Sequence, residues 1–274
     1  MVSNNQFDHV VINVGLNIDE AEKIFKNLGF SLTPRGRHTL GSINNLMIFG
    51  TNYLELLGMP DDNKTYREGI SDAPVGINGV VFKTDDVGLA YDHLCALGID
   101  GEPPGTFSRP VKIRNELRQA SFKTVAVRPG IFSVGRVYFC QHLTPELVWR
   151  PEWQDHINNV EKILEFVTVS SRPDEDAAQF SILLNGQNKD NTILINGGKI
   201  SILSLQQFQK RYENLEVDEN IRCDIFGAIV LKLDSLGPLH NLIERSLNNL
   251  VYVKEPQRIT LRINDFNTVL EFNS

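Results

Sequence analysis

The chain has 274 residues, 41% of them hydrophobic and 22% charged, a composition typical of a soluble globular protein with one or two domains. Acidic residues outnumber basic ones by 34 to 27, and the net charge of −7 disfavours nonspecific binding to nucleic acid or to an anionic membrane. The sequence contains no run near the ~20 apolar residues of a transmembrane helix and no basic-then-apolar secretory signal.

Cysteine usage favours a reducing compartment. The three cysteines, Cys95, Cys140 and Cys223, are far apart and form no CxxC pair. An odd and sparse set argues against a disulfide framework and against a thiolate zinc site. We therefore expect free thiols and a cytoplasmic protein.

Four units with a similar order of elements follow one another along the chain. Each has a strand, a helix of regular apolar spacing and then two or three further strands. Asp86 and Gly98 mark the second helix as its N-cap and its left-handed stop. The predicted strands are 7–14, 30–33, 45–49, 53–57, 78–84, 121–127, 136–141, 162–169, 192–195, 199–203, 226–233, 251–253, 258–263 and 268–272, and the predicted helices are 18–28, 87–97, 174–184 and 235–247.

Two such units can bury one face of a curved sheet under their helices, while every second side chain of a strand points to the concave face, here called the cup. The sequence thus predicts an α+β fold of four βαβββ modules, paired into two curved-sheet cups. The predicted domains are 1–150, with modules one and two, and 151–274, with a second and degenerate pair.

The first two modules resemble a known family. DHVVINV on the first strand, NYLELLG on the fourth and the later segment YFCQHLTPELVWRPEW are similar to the glyoxalase-like branch of the vicinal oxygen chelate superfamily, which includes glyoxalases, bleomycin-resistance proteins and dioxygenases. The resemblance covers 7–153 by specific motifs and the later modules by pattern alone. It implies a glyoxalase-like fold with a divalent metal ion in the cup, held by a His on a first strand and a carboxylate on a fourth.

The match to this family identifies His9 and Glu55 as metal ligands, and Glu55 also as a catalytic residue. A Glu inside an apolar strand costs several kcal/mol if it is buried without a partner, and a cation would remove that cost. Two alternatives are open for Glu55, namely contact with water in an open cup or an ion pair with Arg35 or Arg37.

The second module departs from the family pattern, because Gly79 or Asn78 stands where a His would match His9. At its last strand Gln141 and His142 are adjacent, so only one of them can point into the cup. Imidazole is the better ligand, which makes His142 the third candidate metal ligand and Gln141 a candidate substrate contact.

The second pair of modules offers no imidazole at the matching positions. Glu271 occupies the slot of Glu55 in the fourth module, and its partner position in the third module falls near Glu165. We therefore interpret the second cup as structural.

The loop between the second and third strands offers further candidates. His38 lies between Gly36 and Gly41 and is a candidate proton carrier or orienting group, with a surface histidine as the alternative. Arg35 and Arg37 could hold a substrate carboxylate through paired N–H donors. Apolar and aromatic candidates for the substrate-binding wall of the cup are Met47, Phe49, Tyr53 and Phe139.

Two functions are compatible with these residues. The first is a metal-dependent enzyme that uses zinc, manganese, iron or nickel for lyase, isomerase or dioxygenase chemistry on a small carbonyl or vicinal-oxygen substrate. The second is a metal-free protein that binds or sequesters a small molecule, as bleomycin-resistance relatives do. The expected partner is a small molecule in both cases, and neither nucleic acid nor a membrane. A homodimer would be an ordinary arrangement, although no segment identifies an interface.

Overall fold

The computed structural model describes residues 5–61, 73–215, 224–246 and 250–274, and the prediction for the Cys223 thiol lies outside these residues. The four βαβββ modules and the α+β class are confirmed. The strands are β1 Phe7–Gly15, β2 Gly36–Arg37, β3 Ile43–Ile48, β4 Tyr53–Gly58, β5 Gly76–Lys83, β6 Gly105–Ile113, β7 Glu116–Ala126, β8 Arg136–His142, β9 Val160–Val169, β10 Gln187–Lys189, β11 Thr192–Ile195, β12 Gly198–Leu203, β13 Ile225–Leu233, β14 Val251–Glu255, β15 Arg258–Ile263 and β16 Thr268–Asn273. The helices are α1 Ile18–Asn27, α2 Val87–Leu97, α3 Pro173–Leu184, α4 Leu205–Arg211 and α5 Gly237–Ser246.

Each pair of modules forms one eight-stranded mixed sheet. The strand orders are β2-β3-β4-β1-β5-β8-β7-β6 and β10-β11-β12-β9-β13-β16-β15-β14. In both sheets the first strands of the two modules lie antiparallel at the centre, and each runs parallel to the last strand of its own module. The two edges of the first sheet also meet, because the backbone N–H of Thr39 donates to the Ser108 carbonyl at 2.9 Å. This contact closes the first cup along one side.

Several elements differ from the sequence-based expectation. Residues 30–33 form no strand, and the short strand of the first module is β2. The sequence did not predict β6, β10 or α4. β6 contains Pro110, which an edge strand tolerates because no neighbouring strand needs its missing N–H. α4 has only seven residues, and it begins with a capping box between Ser204 and Gln207.

One continuous apolar core joins the two sheets on their helix-bearing faces. It includes contacts between the halves, such as the rings of Phe132 and Phe180 at 4.2 Å and those of Phe30 and Phe272 at 6.3 Å. A smaller apolar cluster fills part of each cup. The division into domains 1–150 and 151–274 stays a prediction. Among the described residues, no helix combines the length and the apolar character needed to cross a bilayer.

Candidate active site in the first cup

A β-bulge in β1 decides which side chains enter the first cup. Phe7 pairs with Phe82 and His9 pairs with Val81, so β1 has one extra residue between these pairs. Such a bulge turns two successive residues toward one face. Phe7 lies in the shared core, whereas Asp8 and His9 are both buried on the cup side. Strict alternation would place Phe7 and His9 on one face of β1, and the bulge places them on opposite faces.

His9 and Glu55 meet inside the first cup. The Nε2 atom of His9 lies 3.5 Å from Oε2 of Glu55, and the two residues are only 4% and 6% exposed. The register of β1 and β4 sets this approach, because it pairs His9 with Tyr53 and Val11 with Glu55. The ring of Tyr53 stacks on that of His9 at 4.4 Å and so fixes the plane of the imidazole.

Polar neighbours stabilise the Glu55 carboxylate. Asn44 Nδ2 donates to Oε1 at 2.6 Å, and the Nε2 atom of His38 lies 3.9 Å from the same oxygen. Burial raises the pKa of Glu55, but His9, His38, the Asn44 hydrogen bond and the charge of Arg109 together lower it below its ordinary value. Glu55 is therefore ionised at neutral pH.

His38 is buried in the wall of the cup, which overturns the alternative of a surface histidine. Its Nδ1 atom lies 2.8 Å from Ser42 Oγ, and its Nε2 atom lies 3.2 Å from Asn44 Nδ2. The ring of Phe107 contacts the imidazole edge-on at 5.3 Å. His38 and Asn44 therefore form one polar group behind the Glu55 carboxylate.

Asp8 lies between two imidazoles. Its Oδ2 atom accepts from His9 Nδ1 at 2.6 Å and from His142 Nε2 at 3.0 Å. Burial raises the pKa of Asp8, but the charges and hydrogen bonds of His142 and His9 lower it far below the ordinary range. The sequence did not single out Asp8, because strict alternation placed it opposite His9.

The predicted ligand set of His9, Glu55 and His142 does not converge on one point. His142 faces the cup side, but its Nε2 atom is turned to Asp8 and not to Glu55. Among the described residues, the group whose metal-ligating atoms all lie within 4.8 Å of one another is Asp8, Cys140 and His142.

Gln141 points to the other face of β8. Its Oε1 atom accepts from the Val87 backbone N–H at 3.2 Å, and its Nε2 atom donates to the Asp85 carbonyl at 2.7 Å. Gln141 thus binds the first turn of α2, where Asp86 is the N-cap as expected. These contacts hold the Gln141 amide away from Glu55, and its role as a substrate contact stays a prediction.

Three predicted wall residues lie on the helix-bearing face of the sheet and not on the cup face. They are Met47, Phe49 and Phe139. All three belong to the shared core under the helices. Both faces of β3 and the middle of β8 are buried, so the apolar pattern alone does not reveal which alternate residues face the cup. Tyr53 is the one predicted wall residue that does line the cup.

The two predicted arginine contacts lie outside the cup. The guanidinium of Arg35 pairs at 2.6 Å with Asp19 and at 2.6 Å with Glu22 on α1. Arg37 is exposed on β2. Glu55 pairs with neither of them, and the role of Arg35 and Arg37 as substrate anchors stays a prediction.

A different arginine enters the cup. Arg109 on β6 is 2% exposed, and its Nη2 atom has no hydrogen-bond partner among the described residues. Burial lowers the pKa of this guanidinium, although Tyr53 and Glu55 act in the opposite direction. The period-two run of Phe107, Arg109 and Val111 is the sequence signal that could have found it.

The cavity bounded by these groups is small, about 30 Å³. That volume holds an ion or a water molecule, since one water needs only ~10–15 Å³ on this scale. The lining side chains are His9, His38, Asn44, Leu46, Tyr53, Glu55, Leu57, Phe107, Arg109, Phe122, Thr124, Tyr138 and Cys140.

Tyr138 stands where the second module would supply a counterpart of Glu55. The register pairs Val81 with Tyr138, as it pairs Val11 with Glu55 in the first module. The Tyr138 hydroxyl lies 3.5 Å from His9 Nε2. The second module therefore adds a phenol to the cup in place of a carboxylate.

The second cup contains two glutamates bound to an arginine. Arg211 of α4 donates from Nη1 to Glu165 at 2.6 Å and from Nη2 to Glu271 at 3.0 Å. Lys199 adds a salt bridge to Glu165 at 3.2 Å. Burial raises the pKa of Glu165, but the hydrogen bonds and charge of Arg211 lower it below its ordinary value. Both carboxylates of this cup are thus neutralised by the chain itself.

Comparisons with known proteins agree with this architecture. A hypothetical protein from Staphylococcus aureus is similar over 97% of this chain and 98% of its own, with a TM-score of 0.67 and 11% identity. A xylose isomerase-like TIM barrel/4-hydroxyphenylpyruvate dioxygenase fusion protein matches 99% of this chain with 49% of its own length, at TM-score 0.58 and 11% identity. A mutant of 4-hydroxymandelate synthase from Streptomyces coelicolor matches 97% of this chain and 91% of its own, at TM-score 0.55 and 10% identity. At these identities the structural matches establish the fold alone.

No curated protein matches the chain significantly. The glyoxalase-like domain model matches residues 7–184, which cover the whole of the first cup and reach the end of α3. This match confirms the resemblance inferred from the first and fourth strands. The chain belongs to the glyoxalase-like domain family.

Proposed function

We propose that the first cup is the active site of a metal-dependent, glyoxalase-like enzyme, with His9 and Glu55 as ligands of a divalent metal ion. One observation carries this proposal. Nδ1 of His9 donates a hydrogen bond to Asp8, so Nε2 is the ring nitrogen that faces the ionised carboxylate of Glu55, 3.5 Å away. A ring nitrogen and a carboxylate oxygen that face each other in a buried site favour a cation between them.

The donor spacing fits a metal ion. Imidazole nitrogens and carboxylate oxygens bind zinc at roughly 2.0–2.2 Å, so two such ligands at a tetrahedral angle lie about 3.4 Å apart. The His9–Glu55 distance of 3.5 Å is close to that value. The cavity of about 30 Å³ has room for the ion and one further small ligand.

The residues around the ion would have separate roles. A divalent ion at this position would supply Lewis-acid polarisation of a substrate oxygen. Asp8 fixes the tautomer of His9, as a carboxylate behind a metal-binding imidazole commonly does. His38 orients Glu55 through Asn44, which contacts both side chains. The Tyr138 hydroxyl is placed to donate a hydrogen bond to a substrate oxygen beside His9.

The substrate that suits this cup is a small oxo acid. Arg109 supplies a buried guanidinium with an unpartnered Nη2, which favours a carboxylate in the cup. The volume of about 30 Å³ favours the smallest members of this class. Sequestration of a large organic molecule is disfavoured for the same reason, since binding pockets for drug-sized ligands measure roughly 300–1,000 Å³.

Metal content tests the proposal. The protein is expressed with zinc, manganese, iron or nickel supplied, and the bound metal is counted by mass spectrometry. We expect Glu55→Gln to hold one metal equivalent fewer than the wild type, because the amide is a much weaker ligand. Glu271→Gln is the matched control, since it changes a buried Glu in the same slot of the other cup, and it should keep the wild-type count.

Equal metal content in Glu55→Gln and the wild type would contradict the proposal. Substrate class is tested by turnover of two- and three-carbon 2-oxo acids, the members of this class that come nearest to the size of the cavity. We expect Arg109→Met to raise KM about tenfold or more with a smaller change in kcat, because a ground-state contact is lost.

A further inference from the structure

A second group of metal-binding side chains lies next to the first cup. One ligand atom each from Asp8, Cys140 and His142 lies within 4.8 Å of the other two. Carboxylate, thiolate and imidazole are the three side-chain groups that zinc binds in proteins. The bulge in β1 and the even-numbered face of β8 bring them together, so their wide spacing in the sequence gave no sign of a site.

An unsatisfied acceptor points to a ligand at this group. Asp8 is completely buried, and its Oδ1 atom has no hydrogen-bond partner among the described residues. His142 Nε2 lies 3.0 Å from Oδ2 of the same carboxylate, so the imidazole already faces Asp8. A buried carboxylate oxygen is normally satisfied, and a cation held between these side chains would satisfy it.

The group also has an approach route. Asp8, Cys140 and His142 border a cavity of about 280 Å³ that is distinct from the small cavity around Glu55. Its other walls include Lys83, Thr84, Asp85 and Trp149. Burial raises the pKa of the Cys140 thiol, the charges of Asp8 and Glu55 act in the same direction, and Lys83 opposes them. Three protein ligands beside an accessible cavity leave one coordination position for water or a small ligand, as in catalytic zinc sites.

We propose that Asp8, Cys140 and His142 form a second metal site that binds zinc, separate from the site of His9 and Glu55. Binding forms a sulfur–metal bond at Cys140, and the thiol proton passes to water. Affinity therefore rises with pH, as it does for thiolate sites in general. This site goes beyond the proposed function and does not depend on Glu55.

Cobalt is the probe that reports this site specifically, because a cysteine thiolate bound to Co²⁺ produces a strong charge-transfer absorption in the near ultraviolet. The chelator-treated full-length protein is titrated with CoCl₂ and then with ZnCl₂. We expect one equivalent of the charge-transfer signal in the wild type and its loss when zinc is added. The signal should be absent in Cys140→Ser and retained in Cys95→Ser, the matched control at an exposed cysteine on α2.

Two further variants keep the test decisive. Glu55→Gln should retain the full charge-transfer signal even if the first site is lost, so failure of the two proposals can be told apart. His142→Ala should weaken cobalt binding at least tenfold while the protein keeps its circular dichroism spectrum, which covers the case in which Cys140→Ser does not fold. No charge-transfer signal in the wild type, or an unchanged signal in either Cys140→Ser or His142→Ala, would overturn this inference.

Discussion

The two cups have the same strand order, but their buried carboxylates have different partners. In the second cup, Glu165 and Glu271 both bind the guanidinium of Arg211, so the chain neutralises its own charges. In the first cup, Glu55 faces the imidazole of His9, and the nearby Arg109 keeps an unpartnered Nη2 atom. A site whose charged groups are satisfied stabilises the fold, whereas one with unmatched donors and acceptors is prepared for a ligand.

The largest expected effect is in the second cup. Arg211→Met leaves the buried Glu271 without its cation and Glu165 with Lys199 alone, and it should lower the free energy of unfolding by about 3–5 kcal/mol. Urea unfolding measures this difference. Adding Glu165→Gln and Glu271→Gln to Arg211→Met should restore part of the loss, since no buried charge then remains. A loss below about 1 kcal/mol in the single variant would mean that the pairing is not structural.

A smaller and pH-dependent effect is expected for Asp8→Asn in metal-free protein. The folded pKa of Asp8 is lowered, so its stabilising contribution is complete above its unfolded pKa of about 3.9 and is lost as the pH falls below that value. We expect the variant to be less stable by about 1–3 kcal/mol at pH 7, because the imidazoles of His9 and His142 both lose their charged acceptor. The difference should shrink below pH 4, as followed by unfolding curves from pH 3 to 7. A constant difference over this range would contradict the pairing of Asp8 with His9 and His142.

The smallest effect on stability is expected for Arg109→Met, and it is the direct counterpart of Arg211→Met. Arg109 makes no hydrogen bond to a carboxylate among the described residues, and its burial is costly. Replacement by Met should change the free energy of unfolding by less than about 1 kcal/mol, or should stabilise the protein. Thermal unfolding of the two variants side by side measures the contrast. If Arg109→Met and Arg211→Met lowered the free energy of unfolding equally, the proposed difference between a ligand-binding cup and a structural cup would be contradicted.

The sequence predicts the architecture because each module repeats a pattern of apolar strands and one helix. The resemblance to the glyoxalase-like family predicts that His9 and Glu55 meet, and the parallel pairing of β1 with β4 brings the two residues within two positions of each other. The position of Asp8 could not be predicted, because a one-residue bulge turns its side chain to the cup face of the sheet. No pattern in the local sequence indicates this bulge.

Other cup residues could not be predicted, because a strand that is buried on both faces shows no alternation of polar and apolar residues. The sequence predicts Met47 and Phe49 in the cup, but both lie in the shared core. Leu46 and Ile48 of β3 are the residues that face the cup. Arg211 could not be placed, because α4 is short and mostly polar, with Phe208 as its one buried residue. Its role depends on a tertiary contact with β9 and β16 that no local pattern encodes.

The central claim is that His9 and Glu55 hold a metal ion in the first cup. Anomalous diffraction from crystals grown with manganese, or with the metal found in the purified protein, tests it most directly. The account predicts an anomalous peak roughly 2.0–2.3 Å from both His9 Nε2 and a Glu55 oxygen, and none between Glu165 and Glu271. A metal-loaded crystal with no peak between His9 and Glu55 would contradict the account.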